Sequence, residues 1–289
     1  MPEGDTIHRT ARTLHRALAG QVVTRFESVY PHLTRVDADA PLCGRTIERV
    51  EARGKHVLMW FSAQSWGPPS GGPLVLRTHM RMHGSWHIYR PGERWQRPRH
   101  EMRIVIETDA IHAIAFTVPV AELATASEIE RGPALSTLGP DVLSEDFDAS
   151  DAARRISERA EMSIADALLD QSAIAGIGNI YKCEALFAAK VHPFALVGSL
   201  APNTIAKVVA AAVKMMRANV AEPAAGAMTA RRTTGRANPR ARFWVYGRTG
   251  QPCRRCGTPI AREARTDARV TYWCSRCQST SLESNDRGR

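Results

Sequence analysis

Four cysteines near the end of this chain constrain its fold more than any other feature. They read Cys253-Arg-Arg-Cys256 and Cys274-Ser-Arg-Cys277, two CxxC pairs with 17 residues between them. A CxxC spacing lets both sulfurs of a pair reach one point from a single tight turn, and two such pairs complete a tetrahedron of thiolates. The spacing predicts a small β-hairpin closed over one zinc ion. Such a site is structural, because four protein ligands leave no position for water or substrate. Arg254, Arg255, Arg269 and Arg276 flank it in sequence, as suits a nucleic-acid-binding ribbon. Cys43 and Cys183 stand alone and are expected to be small buried apolar residues. Metal cysteines without a disulfide framework fit a reducing compartment.

The chain's 289 residues suffice for two domains, each with its own core. No stretch approaches ~20 uninterrupted apolar residues, so no membrane span is expected. The start lacks the basic-then-apolar pattern of a secretory signal, which points to a cytoplasmic protein. The formal charge is +10, with 39 basic residues of which only five are lysine. That excess suits a polyanionic partner, most simply nucleic acid. A solvated basic surface on an ordinary enzyme is the plainer alternative.

Residues 5–18 carry Ile7, Ala11, Leu14 and Leu18 on one helical face, with Asp5 placed to cap it. From about 20 to 125 the pattern changes to short strand-like runs: GQVVTRFES, RTIERVEA, KHVLMWF, PLVLRTHM, SWHIYR, MRIVIET and AIHAIAF. Glycine- and proline-rich loops such as SWGPPSGGP, 65–73, separate them, as in a sandwich or flattened barrel. ALSTLGPDVLSEDFD, 134–148, reads as a linker. Helical patterns follow: DAARRISERA, SIADALLDQ, NIYKCEALFAAK and PNTIAKVVAAAVKMMRANV. TARRTTGRANPRAR, 229–242, reads as a mobile basic loop, and 279–289 as a disordered tail.

Four shorter stretches carry weaker signals, each with two readings. MPEGDT sets Pro2 and Glu3 side by side: helix punctuation, or an amine nucleophile beside an acid. In ARGKHVLM, Lys55 is either a solvated strand end or a functional cation in a chain short of lysine. In RTHMRMHGSW, Arg81, Met82 and His83 form a loop tip. There Met82 is either a core filler, the commoner case, or a wedge for a disrupted base stack. In AIAGIGNIY, Gly176 and Gly178 precede a helix that Asn179 could cap. Glycines there let a phosphate approach free N–H groups, or they simply turn a corner.

Taken together, in this order, PEG, RGK, GIGNIY and the four-cysteine finger resemble one family. It comprises the bifunctional DNA glycosylases that include formamidopyrimidine-DNA glycosylase and endonuclease VIII, and the likeness covers nearly the whole chain. The resemblance implies an α+β multidomain fold. Residues 1–133 would be an N-terminal catalytic β-sandwich domain with flanking helices and 134–148 a linker. Residues 149–240 would be a helix-two-turns-helix domain and 241–278 a zinc finger. It implies one structural zinc on Cys253, Cys256, Cys274 and Cys277. Pro2 matches the family nucleophile and Glu3 the acid beside it. Lys55 matches a lysine that contacts DNA and assists catalysis, and Arg269 a finger arginine that grips phosphate and assists strand cleavage. Asn179 matches a phosphate-binding asparagine, and Arg81 and Met82 the loop that fills the hole left by a flipped base.

The implied reaction is removal of an oxidised base through a Schiff base on Pro2, then β,δ-elimination. The implied partner is damaged double-stranded DNA, met by a monomer on the nucleoid of a bacterial cytoplasm. Formamidopyrimidine-type members carry a DPRRFG-like wedge, whereas the stretch compared here, 113–124, reads AIAFTVPVAELA. With RFWVYGRTGQPCRRCG at the finger, this favours the endonuclease VIII branch and oxidised pyrimidines. Two departures stand out: Thr137 where some endonuclease VIII sequences have arginine, and Arg81 where glutamine is common. A purine-directed glycosylase and a non-catalytic DNA-binding protein are the rivals.

Overall fold

Helix α1, Gly4–Leu18, buries Ile7, Ala11, Leu14 and Leu18, the face its spacing predicts. Its cap differs from expectation. Glu3 occupies the N-cap, and Asp5 lies inside the first turn, fully buried, 3.4 Å from the Arg9 guanidinium. An acidic residue there still complements the helix dipole. The computed structural model describes residues 2–64, 72–221, 231–236, 238–264 and 269–279. The tail from 280, most of the 65–73 loop and part of the 229–242 loop fall outside those residues. The chain divides into two compact units, Met1–Thr137 and Leu138–Arg289.

In the first unit the predicted strands form. They are β1 (Arg25–Ser28), β2 (Ile47–Arg53), β3 (His56–Phe61), β4 (Leu74–His79), β5 (Ser85–Tyr89), β6 (Met102–Glu107) and β7 (His112–Phe116). Helix α2 (Pro31–Asp39), after β1, and strand β8 (Val120–Thr125) were not anticipated. Helix α2 buries only Leu33, too little for a periodic signal. The strands make two four-stranded antiparallel sheets, ordered β1-β6-β7-β5 and β2-β3-β4-β8. Alternate residues point inward: Val57, Met59 and Phe61 from one sheet share a core with Ile104, Ile106, Ala113 and Ala115 from the other. This is the expected sandwich. The unit closes with α3 (Ala126–Arg131), held by a Thr125–Glu128 capping box, and α4 (Pro133–Ser136). Cys43 corrects its expectation, being exposed rather than buried.

In the second unit the helices are α5 (Ala149–Ser157), α6 (Ile164–Ala167), α7 (Asn179–Ala189) and α8 (Pro202–Val220). Helix α6, in the predicted helical stretch SIADALLDQ, opens with Ser163 Oγ accepting from the Asp166 N–H at 3.1 Å but lasts one turn. The stretch 134–148 is less exposed than a tether would be: Val142 is fully buried in the helical core. Strands β9 (Ala261–Ala264) and β10 (Val270–Trp273) pair as the finger hairpin.

Helix α7 is buried on nearly every face, and its Glu184 is fully buried. The carboxylate accepts from the N–H groups of Trp244, Val245 and Tyr246 at 2.8, 2.9 and 2.9 Å, and from the Thr233 hydroxyl. Burial pushes its pKa up, while these donors oppose that by favouring the anion. An amide at this position would point an N–H at backbone donors. Glu184→Gln should therefore lower stability by about 2 kcal/mol, read from the urea midpoint of the purified protein.

Candidate active site and zinc centre

Pro2 is half-buried and directly precedes the N-cap of α1. Glu3 is completely buried. Its carbonyl accepts from the N–H groups of Thr6 and Ile7 at 2.8 and 3.0 Å, and its carboxyl makes no capping bond. The first two residues of the predicted site thus sit at the end of a helix whose inner face is locked into the sandwich core.

Lys55 lies in the two-residue turn between β2 and β3, after Gly54 at φ 58°. Arg81 and Met82 lie in the turn between β4 and β5. Met82 is 56% exposed, so the core-filler reading fails for it, whereas Met80, two residues earlier, is 2% exposed. Two histidines absent from the sequence-derived site stand between these turns. The rings of His56 and His79 meet edge to face at 4.8 Å. Burial, then His79 and the cations Arg77, Arg81 and Lys55, push His56 down to about 3. Burial, then Arg81, Lys55 and Arg77, push His79 down to about 4. Both rings are therefore neutral bases at ordinary pH. Arg77, itself buried, donates to His56 Nδ1 at 3.1 Å and to Glu122 at 2.9 and 2.6 Å. A histidine beside each basic turn was the available signal.

In the second unit, Asn179 is the first residue of α7 rather than its cap, which is Gly178. Its Nδ2 donates to the Val270 carbonyl at 2.9 Å, and its buried Oδ1 has no hydrogen-bond partner. Arg269, exposed, immediately precedes that residue, so Asn179 and the Arg269 backbone are brought together. Lys182 and Cys183 continue the same face: Lys182 Nζ donates to Thr271 Oγ1 at 2.8 Å, and the Tyr272 N–H to Cys183 Sγ at 3.4 Å. One helix face thus holds strand β10.

The four sulfurs of Cys253, Cys256, Cys274 and Cys277 lie within 4.8 Å of one another. Zn–S bonds of about 2.3 Å in a tetrahedron place sulfurs about 3.8 Å apart; Cys253–Cys277 and Cys256–Cys274 are at 3.9 and 3.4 Å. Burial raises the Cys274 and Cys277 thiols, whereas the Thr258 hydroxyl draws Cys256 down to about 6. A dication is what lets all four ionise together. The residues fit one structural zinc.

Comparison with known proteins agrees with this architecture. The formamidopyrimidine-DNA glycosylase N-terminal domain matches residues 1–119, the H2TH domain of the same enzymes 138–231, and the zinc finger found in FPG and IleRS 250–280. The probable endonuclease 8 2 of Streptomyces coelicolor is 38% identical over 283 residues, covering 96% of this chain and 94% of its own. Endonuclease 8 2 of Mycobacterium tuberculosis is 38% identical, covering 96% and 100%. The DNA-(apurinic or apyrimidinic site) lyase Nei2 of Mycolicibacterium smegmatis is 36% identical, covering 97% and 100%. In fold, the chain is similar to Lactococcus lactis Fpg (MutM), solved with a DNA containing N7-benzyl-Fapy-dG. The TM-score is 0.78 at 24% identity, covering 96% of this chain and all of that one.

Sandwich, helical domain and zinc finger define a DNA glycosylase with abasic-site lyase activity, an enzyme of base excision repair. The chain belongs to the formamidopyrimidine-DNA glycosylase and endonuclease 8 family. Relatives named endonuclease 8 2 match it at 38%, those named formamidopyrimidine-DNA glycosylase at 30–32%, and one named endonuclease 8 at 29%. No described helix is long and apolar enough to cross a membrane.

Two outcomes follow. Cys256→Ser should bind less than stoichiometric zinc by elemental analysis; full metal content would contradict the assignment. The second concerns pH. Below about pH 6.5 an unfolded histidine takes up a proton that folded His56 refuses until about pH 3, so the unfolded state binds more protons. Stability should fall as pH drops through that window, by up to about 1.4 kcal/mol per pH unit from this group. His56→Asn keeps an acceptor for Arg77 and cannot titrate, so urea unfolding across pH should show a flatter slope.

Proposed function

We propose that the enzyme excises oxidised bases, pyrimidines before purines, from double-stranded DNA, acting as a monomer on the bacterial nucleoid. Pro2 is its nucleophile. Once Met1 is removed, the Pro2 nitrogen is a secondary amine. An α-amino group titrates at roughly 8, so about a fifth to a third is unprotonated near physiological pH. The amine forms a bond to the sugar C1′ as the bond to the base breaks, the base leaving with a proton. The proline nitrogen then loses its proton, the C1′–O4′ bond breaks as O4′ takes up a proton, and the iminium that results is an electron sink that acidifies the C2′–H. Loss of that proton expels the 3′ phosphate by β-elimination, and a further elimination expels the 5′ phosphate. Glu3, one residue away, carries protons to and from the opening sugar. Lys55, Asn179 and Arg269 hold DNA phosphates, and Arg81 and Met82 occupy the space of the extruded nucleotide.

One observation carries this reading: Pro2 and Glu3 stand on the end of a helix whose buried face fixes it to the sandwich. A nucleophile needs such a rigid base to be held at attack distance. The lyase name of the mycobacterial relative supports the same chemistry. Borohydride should trap a covalent adduct on DNA containing an oxidised pyrimidine, and a protein retaining Met1 should give none. An adduct that survives Met1 retention would place the nucleophile elsewhere. In a substrate panel, thymine glycol or 5-hydroxyuracil should be removed faster than 8-oxoguanine opposite cytosine. The reverse order would sink the pyrimidine assignment.

A further inference from the structure

Among the described residues, three other than glycine adopt positive φ: Arg81 at 49°, Thr117 at 48° and Lys190 at 58°. Lys190 ends helix α7, an ordinary place for it. The other two meet at one loop. The backbone N–H of Arg81 donates to His79 Nδ1 at 3.1 Å. Thr117 Oγ1 donates to the His83 carbonyl at 2.9 Å, from a turn anchored by the Thr117 N–H on the Glu101 carbonyl at 2.8 Å. The Gly84 N–H donates to the Met80 carbonyl at 2.8 Å, and a Cβ on Gly84 would fall 2.5 Å from that oxygen. Met80 is buried beneath the loop while Met82 projects from it. A β-branched threonine held at positive φ is strained, and such strain persists only where its surroundings over-determine it.

We infer that His79 and Thr117 are positioning residues that lock the Arg81–Met82–His83 tip in its projecting conformation before DNA arrives. This rests on the reading of that tip as the element that fills the extruded nucleotide's place. A pre-set tip inserts without first losing conformational freedom, so ordering it in advance favours base extrusion. His79 does this as a neutral acceptor through Nδ1. Its pKa near 4 keeps that lone pair available at ordinary pH. The ring of His56 against it holds its orientation.

Paired variants separate this role from mere structural support. Asparagine places an acceptor near histidine Nδ1, glutamine near Nε2. Serine keeps the Thr117 hydroxyl, valine only its shape. Hydrogen exchange of the 80–84 peptide is measured in the DNA-free protein. His79→Gln and Thr117→Val should exchange at least tenfold faster, and His79→Asn and Thr117→Ser within twofold of wild type. In single-turnover excision of an oxidised pyrimidine from duplex DNA, the first pair should lose tenfold or more and the second pair should be rescued. Equal exchange in all four variants overturns the inference. So does rescue by His79→Gln with loss in His79→Asn, since that assigns the work to Nε2. Tenfold faster exchange with unchanged excision overturns the link to base extrusion. Should the wild type excise nothing, the functional reading fails, and the exchange arm still tests the two pins.

Discussion

The second unit depends on one buried carboxylate. Glu184 sits in the middle of α7, fully removed from water, and is compensated by three consecutive backbone N–H groups and a threonine hydroxyl. Removing a carboxylate from water is expensive unless its hydrogen bonds are replaced. Here the replacement is the chain itself, 60 residues on, led into the finger. The other side chains of α7 complete the attachment. Asn179, Lys182 and Cys183 reach successive residues of β10, and Gln278 accepts from the Cys274 N–H at 3.0 Å and donates to the Val191 carbonyl at 2.8 Å. Helical core and finger are therefore one body, with Cys183 and Phe187 of α7 in one buried cluster with Cys253 and Cys274 of the metal site.

The first unit solves a different problem. A sandwich of two antiparallel sheets is a rigid scaffold that presents its functional side chains on its turns. The basic turns at Lys55 and at Arg81–Met82 leave the same sheet from neighbouring strands, with His56 and His79 between them. Neutral imidazoles suit that place. They fill space among Lys55, Arg77 and Arg81 without adding to the positive charge, and they supply acceptors where the cations supply only donors.

Much of this was legible because burial imposes period on sequence. Helix α1 and the strands with strong alternation or continuous apolar runs read correctly, as did α8 to its last residue. Helix α2 did not, since a helix that buries one leucine leaves no pattern. Strand β8 was hidden behind Pro119, in a stretch read only for the arginine–phenylalanine pair it lacks. Cap assignments failed at Asp5 and Asn179 for a shared reason. Each helix begins before the expected capping residue, with Glu3 and Gly178 at the N-caps, and the side chains of Asp5 and Asn179 turn to Arg9 and to the Val270 carbonyl.

The sequence by itself determined the family, the order of its parts and the metal site. Those rest on residue type and spacing, and local geometry alone brings the two cysteines of a CxxC pair to one ion. Only the tertiary structure decided what each side chain is free to do. It buried Met80 and exposed Met82, two residues apart, where sequence favoured the core for Met82. It placed His79 behind Arg81 and brought Thr117, from the turn after β7, to the same loop. Those contacts join residues up to 34 positions apart, and no local pattern encodes a hydrogen bond made across that distance.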